Sequence, residues 1–229
     1  AVPFFPDRTD QCGPSALAGV LGFWWAGVDP GLLKGAAYTA RLKGSLPVDL
    51  LLAARERGMR AEMFDGTLER LKDELDAGRP TLVFVNLGFR RIPIGHFLVV
   101  TGYDDGRRTL YAHSGGKRDE AISYAKFGAA WERAGRWGLS VRPPADPEGW
   151  VAFGNAAFGE GRLDEAEGAF RKALALAPRH PGAGNNLAMT LLARQRLAQL
   201  ALPKDVAIGP ADCQGHELLA MRYGKVVVI

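Results

Sequence analysis

Three prolines fall within five residues in the second half of the chain, at Pro143, Pro144 and Pro147. Proline lacks a backbone donor and fixes φ, so this stretch is neither regular helix nor central strand. Before it, helical patterns precede short runs rich in Val, Phe and Thr, and after it the composition is helical as far as residue 193. We therefore predict an α+β domain over residues 1–143, a small all-α module over 147–200, and a tail at 201–229 that ends in a β-like run at 226–229 and has no assigned role.

Within the first part, apolar spacing predicts three helices, and runs of β-branched and aromatic residues predict three strands. The helices fall at residues 11–25, 47–57 and 67–77, and the strands at 81–86, 97–102 and 108–113. A turn of hairpin length that contains Gly106 separates the last two strands. We expect those two strands to be antiparallel neighbours in one sheet.

Composition argues against several function classes. The 229 residues are 47% hydrophobic and 24% charged, and the net charge of +4 comes from scattered basic residues, which gives nucleic-acid binding little support. No apolar run approaches the roughly 20 residues of a membrane-spanning helix. The two cysteines, Cys12 and Cys213, are too few for a disulfide framework or a zinc site, and no phosphate-binding loop is present. We expect no metal, no cofactor and no transmembrane segment.

Cys12 is the strongest candidate for chemistry because it stands directly before the first helical pattern. The partial positive charge at a helix N-terminus favours thiolate over thiol, and Pro14 suits the first helical turn. Alone, this cysteine is as well explained as a small buried hydrophobe. His96 follows Gly95 at the start of a predicted strand and supplies the base that a cysteine nucleophile needs, although a lone histidine there is more often structural. Together they predict a nucleophile and its base.

The helical part matches the pattern of a tetratricopeptide repeat of about 34 residues. The matching positions hold Trp150, Phe153, Gly154, Ala157, Ala166, Phe170, Ala173 and Pro178. The aromatic residue of the pattern is missing at Ala157, and a second unit that begins at Pro181 fades after Leu197. Because such a repeat buries its apolar face only against neighbours, the module is expected to pack on the first domain or to recruit a protein partner. The alternative is a plain helical hairpin that caps the first domain.

Two segments carry a family resemblance: residues 2–6 with 11–18, around Cys12, and residues 95–104, around His96. They resemble the bacteriocin-processing, double-glycine type of papain-like cysteine peptidase, and with the repeat they look like a bacterial envelope subgroup that joins such a domain to tetratricopeptide repeats. The resemblance implies a papain-like fold, Cys12 as nucleophile, His96 as general base and cleavage after Gly-Gly. It also implies a location in the bacterial cell envelope or periplasm, with the cytoplasm as the alternative.

The same resemblance implies an oxyanion donor upstream of the nucleophile and an acidic or amide residue that orients the histidine. The family's Gln is expected five or six residues before the nucleophile, where this chain has Asp7 and Pro6, and an ionised carboxylate cannot donate. Gln11 is the remaining side-chain candidate for the oxyanion. On the strand after His96, His113 is the candidate orienting residue, and a purely structural strand-end histidine is an equal alternative.

Two functions follow from these residues. The first is a cysteine peptidase acting on a peptide or protein substrate, with the repeat module recruiting a protein partner, and the presence of both Cys12 and His96 favours it. The second is a peptide-binding scaffold on a degraded peptidase fold, which the missing Gln and Asp favour. A transferase or amidase that uses the same thioester chemistry also stays open.

Overall fold

The computed structural model describes residues 1–7, 10–25, 28–89 and 91–200. The helices are α1 (Cys12–Trp24), α2 (Pro30–Ala37), α3 (Pro47–Glu56), α4 (Leu68–Asp76), α5 (Tyr124–Glu132), α6 (Pro147–Gly159), α7 (Leu163–Leu176) and α8 (Pro181–Leu200), with a 3-10 turn at Ala40–Leu42. The strands are β1 (Arg60–Asp65), β2 (Thr81–Asn86), β3 (Gly95–Asp104), β4 (Thr109–Ser114), β5 (Lys117–Ser123) and β6 (Trp137–Arg142). Residues 1–194 form one compact unit, and the second unit, 195–229, contributes only the end of α8 to the described residues. No helix of the described part is long and apolar enough to cross a bilayer.

The six strands form one antiparallel sheet in the order β1-β6-β2-β3-β4-β5. The predicted antiparallel pairing of β3 with β4 is confirmed, and the structure bears out an α+β fold. Side chains alternate across the pleat, so Leu82 and Val99 join the core beneath α1, α2 and α3, whereas Val83 and Leu98 join a second core that includes residues of α4 and α5. The central strands are therefore apolar on both faces.

Residues 1–7 pack along α1 on the side of the helix that carries small residues. A Cβ atom at Gly19 would lie 3.1 Å from the Pro3 carbonyl oxygen, and one at Gly22 would lie 3.1 Å from Pro3 Cγ. Trp24 Nε1, at the far end of the helix, donates to the Val141 carbonyl at 2.9 Å. These contacts fix α1, and with it Cys12, against both the N-terminal segment and the sheet.

A buried carboxylate joins α4 to β6. Glu74 accepts hydrogen bonds from Arg79 Nε at 2.7 Å and from Ser140 Oγ at 2.8 Å. Burial alone raises the pKa of Glu74, but the hydrogen bonds from Arg79 and Ser140, with the positive charges of Arg79 and Arg142, outweigh it, so the net pKa is lowered. The ionised form is thus the one that stabilises this side of the sheet.

Helix α6 packs closely on the end of α1 and on the turn after α3. Trp25 stacks on Phe153 with ring centroids 4.1 Å apart. Gly58 has φ of +73°, and a Cβ atom there would lie 2.3 Å from the Gly149 carbonyl oxygen. Arg57 forms an ion pair with Glu160 at 2.9 Å. The helical part thus packs on the first part of the chain, which is one of the two arrangements expected from the sequence. Its assignment as a tetratricopeptide repeat stays a prediction.

Candidate active site

Cys12 is the first residue of α1, and its side chain is half-buried. Its sulfur interacts with the backbone N–H groups of Phe97, Gly13 and Cys12 itself, which lower the thiol pKa. Burial is the largest influence and raises the pKa, and the negative charge of Asp7 raises it further, so the net direction is upward. The helix position predicted the opposite direction. Desolvation of the sulfur outweighs the helix N-terminus here.

His96 is half-buried near the start of β3, and its Nε2 atom lies 3.1 Å from Ser114 Oγ. Burial lowers the pKa of the imidazole, while the carboxylates of Asp7 and Glu120 act in the raising direction without reversing it. Burial therefore disfavours the charged form of both candidate residues. These directions favour a thiol and a neutral imidazole over a thiolate and an imidazolium.

The fold brings the two predicted residues to one place. Phe97, the residue after His96, provides a backbone N–H to the Cys12 sulfur, and the charge of Asp7 acts on both Cys12 and His96. Cys12, Asp7, Phe97 and Ser114 line one cleft between the N-terminal segment, α1 and the end of β4. In the described part of the chain, His96 makes its one hydrogen bond through Nε2, which leaves Nδ1 for proton transfer.

Asp7 adds negative charge to this cleft and also makes hydrogen bonds to two of its walls. Its backbone N–H donates to the Gly115 carbonyl at 2.9 Å, and its Oδ1 accepts from the Gln11 backbone N–H at 3.2 Å. Gln11 is the N-cap residue of α1, with φ of −108° and ψ of 20°. The side-chain role predicted for Gln11 at the oxyanion stays a prediction.

His113 lines the same cleft as Cys12, but the hydrogen bond to His96 is made by Ser114. The His113 Nδ1 atom accepts from the Asp119 backbone N–H at 3.2 Å, so Nε2 carries the proton and donates to the Val2 carbonyl at 3.1 Å. Neighbouring residues of a strand point to opposite faces of the sheet, so the side chains of His113 and Ser114 point in different directions. His113 therefore anchors the N-terminal segment. The choice between His113 and its neighbour Ser114 depends on the register of the strands, which the sequence pattern does not reveal.

Within the described residues, no group of three or more His, Cys, Asp or Glu side chains is arranged to hold a metal ion. Cys213, His216 and the predicted β-like run at 226–229 lie outside the described residues.

The model of the Peptidase_C39 like family matches residues 1–139, which is more than half of the chain. The chain belongs to this family. Several solved structures share the fold of its first part. A C39-like peptidase from Bacillus anthracis superposes with a TM-score of 0.52 at 20% identity, covering 61% of this chain and 94% of that one.

Two transporter-associated members are equally similar in structure. The peptidase domain of Streptococcus ComA, a bi-functional ABC transporter involved in quorum sensing, has a TM-score of 0.51 at 22% identity and covers 62% of this chain and 97% of that one. A double glycine motif protease from an AMS/PCAT transporter, solved with its leader peptide, has a TM-score of 0.51 at 25% identity and covers 62% and 92%. A search of curated proteins found no match to this chain. Residues 1–139 are thus a C39-type cysteine peptidase-like domain with a papain-like α+β fold.

Sequence reasoning missed three contributors to this site: Ser114, the Phe97 backbone N–H and Glu120. Ser114 is adjacent to the chosen residue, His113, and a choice between them required the register of β4 against β3, in which Leu98 faces Ser114. A backbone donor such as Phe97 has no sequence signal at all. Asp7 was noticed in the sequence only as a poor replacement for Gln.

Proposed function

We propose that this chain is a cysteine peptidase that cleaves peptide bonds after Gly-Gly, with Cys12 as nucleophile and His96 as general base. The observation that carries the proposal is the cleft in which the half-buried Cys12 sulfur receives the N–H of Phe97, the residue next to His96. Membership of the C39-like family supports the reaction class. The transporter protease solved with its leader peptide supports a peptide substrate.

The pKa directions favour general-base attack over a preformed ion pair. As Cys12 attacks the carbonyl carbon, His96 Nδ1 takes the thiol proton, and the imidazolium is held through Nε2 by Ser114. The intermediate collapses, the C–N bond breaks, and the same proton passes to the departing amine. Water, deprotonated by His96, then hydrolyses the thioester and releases the acid and the thiol.

We expect slow turnover, because the cleft offers few donors for the oxyanion of the tetrahedral intermediate. The backbone N–H of Cys12, which interacts with its own sulfur in the resting site, would have to serve the developing oxyanion, and Asp7 brings a negative charge into the same cleft. Loss of one oxyanion donor typically costs about 100- to 1000-fold in rate. We therefore expect turnover well below that of a papain-like enzyme with a side-chain amide donor at this place.

The test uses the full chain with Cys213→Ser as the parent, so that Cys12 is its remaining thiol. Paired peptides that differ only in Gly-Gly against Gly-Val are incubated with the parent, with Cys12→Ser and with His96→Ala, and the products are identified by mass spectrometry. Cleavage after Gly-Gly that both substitutions abolish supports the proposal. Cleavage that survives Cys12→Ser would assign the activity to something else.

Two observations favour a second function, a peptide-binding scaffold. The raised pKa of Cys12 and the Asp7 carboxylate in the cleft both weaken nucleophilic chemistry without blocking peptide binding. If the Gly-Gly peptide binds to the parent and to Cys12→Ser with equal affinity and no product or acyl-enzyme forms, the scaffold replaces the peptidase.

The helices of residues 147–200 support a further part of this proposal, a tetratricopeptide-type module that recruits a protein partner. A Cβ atom at Gly154 would meet the Phe170 ring at 2.5 Å, so α6 and α7 approach closely at the position where the repeat pattern requires a small residue. A cell-envelope or periplasmic location belongs with the same proposal, and fractionation of a producing bacterium tests it.

A further inference from the structure

The turn between β2 and β3 exposes an unusual amount of apolar surface. Leu87 is 54% exposed, Phe89 79%, Ile92 69% and Ile94 57%. We call the described residues of this turn, 87–89 and 91–94, the apolar tip. Single exposed apolar side chains are common, but a cluster of this kind marks a contact with a membrane or a protein partner.

The four side chains share one face because the hairpin continues the register of β2 and β3. The Leu87 N–H donates to the Ile94 carbonyl at 2.8 Å, and Phe89 and Ile92 exchange backbone hydrogen bonds of 3.1 and 3.2 Å. Residues opposite each other across a hairpin lie on the same face, and alternate residues of one strand do so too. The four exposed side chains of the tip thus lie on one face of the hairpin.

The base of the tip is held by side chains. Asn86 Oδ1 accepts from the N–H groups of Gly88 at 2.9 Å and Ile94 at 3.0 Å. Arg133 of α5 donates to the Asn86 carbonyl at 2.9 Å. These bonds set the direction of the hairpin, so its apolar face is a built feature of the protein.

The charges around the tip point to an anionic surface. The sequence between residues 86 and 96 contains no Asp or Glu, but it contains Arg90 and Arg91. Arg91 is exposed on the tip itself. An exposed apolar turn beside a guanidinium group suits the boundary between acyl chains and phosphate groups, where the apolar side chains are buried and the cation meets negative charge. A protein partner would instead have to supply a pocket for several large side chains.

We propose that the apolar tip docks the protein on a membrane surface that contains anionic phospholipid, with Phe89 and Ile92 entering the acyl boundary and Arg91 at the level of the phosphates. His96 follows Ile94 by two residues, so docking would hold the catalytic cleft close to the membrane. The inference goes beyond the proposed peptidase reaction and does not depend on catalysis.

Vesicle flotation of the full chain tests the inference, with vesicles of phosphatidylcholine alone or mixed with phosphatidylglycerol. We expect flotation with the mixed vesicles and much less with phosphatidylcholine alone. The double variant Phe89→Ser/Ile92→Ser should lower the partition coefficient about tenfold or more, because two large side chains lose their burial. Arg91→Gln should lower it about fivefold, on the anionic vesicles only.

The matched control is Leu176→Ser/Met189→Ser, which replaces two apolar side chains that are 55% and 53% exposed on α7 and α8. This control should float like the parent. Absence of flotation with the anionic vesicles, or equal losses in both double variants, would overturn the inference. The inference also fails if nothing floats but the tip variant weakens binding of the Gly-Gly peptide, which would make the tip a substrate contact.

Discussion

Asp7→Asn should make Cys12 more reactive. The substitution removes a negative charge that raises the pKa of the Cys12 thiol, and it keeps an oxygen able to accept the 3.2 Å hydrogen bond from the Gln11 backbone N–H. The shape of the cleft is therefore preserved. The substitution also adds an amide donor, and iodoacetamide alkylation, which forms no oxyanion, reports mainly the loss of charge.

The size of the effect follows from the spacing of these groups. Asp7 Oδ1 accepts from the backbone N–H of Gln11, the residue before Cys12. Two unit charges about 7 Å apart, at an effective dielectric of about 40, interact by about 1 kcal/mol. That energy corresponds to about a fivefold rise in thiolate at neutral pH. Because a thiolate of lower pKa is also less nucleophilic, the net gain in alkylation rate is about threefold.

The assay is the pH dependence of iodoacetamide alkylation in the Cys213→Ser parent, in Asp7→Asn and in Asp65→Asn. Asp65 is exposed on β1, so this control makes the same change in net charge away from the cleft. We expect the alkylation profile of Asp7→Asn to shift to lower pH and that of Asp65→Asn to match the parent. Equal profiles in all three proteins, or a shift to higher pH in Asp7→Asn, would refute the electrostatic role of this carboxylate.

Three further predictions concern the imidazole, the helical packing and the buried carboxylate. Ser114→Asp should raise the pKa of His96 by about one unit or more through the new negative charge, as NMR titration of the ring would show, and Ser114→Ala should not raise it. Trp25→Ala should destabilise the protein by about 2–4 kcal/mol in urea unfolding, because it removes the ring stacked on Phe153, and a loss below about 0.5 kcal/mol would contradict that packing. Glu74→Gln should cost about 1–3 kcal/mol at neutral pH. Because the folded pKa of Glu74 is lowered, that difference should shrink as the pH falls through the ordinary carboxyl range and below, and a constant difference would argue against the ionised form.

Sequence pattern located the elements that have strong apolar periodicity. Helices α1, α3 and α4 and strands β2, β3 and β4 lie within a few residues of their predicted ranges. Strand β5 was missed because Lys117–Ser123 is mostly charged and lies at an edge of the sheet, and β1 was missed because Arg60–Asp65 is similarly polar. Edge strands need not alternate with buried apolar residues, so their periodic signal is weak.

The sequence allowed the candidate nucleophile and base to be chosen, but it did not allow their pKa values to be predicted. A cysteine before a helix and a histidine at a strand start are visible in sequence, and the structure places both Cys12 and His96 beside Phe97. The pKa of Cys12 depends on how much solvent the folded chain removes from the sulfur, and no local pattern records that. Likewise, the choice between His113 and Ser114 required the pairing of two strands that are distant from Cys12 in the chain.

The binding of residues 1–7 to the end of β4 has a consequence for biosynthesis. Cys12 leaves the ribosome early, but the Gly115 carbonyl that fixes Asp7 and the Ser114 hydroxyl that holds His96 are made roughly a hundred residues later, about 5–20 s at usual rates of translation. During that interval the nascent chain carries a thiol without its base. The candidate reactive centre therefore forms only after β4 has been synthesised, so Cys12 gains its base and its fixed surroundings late in translation.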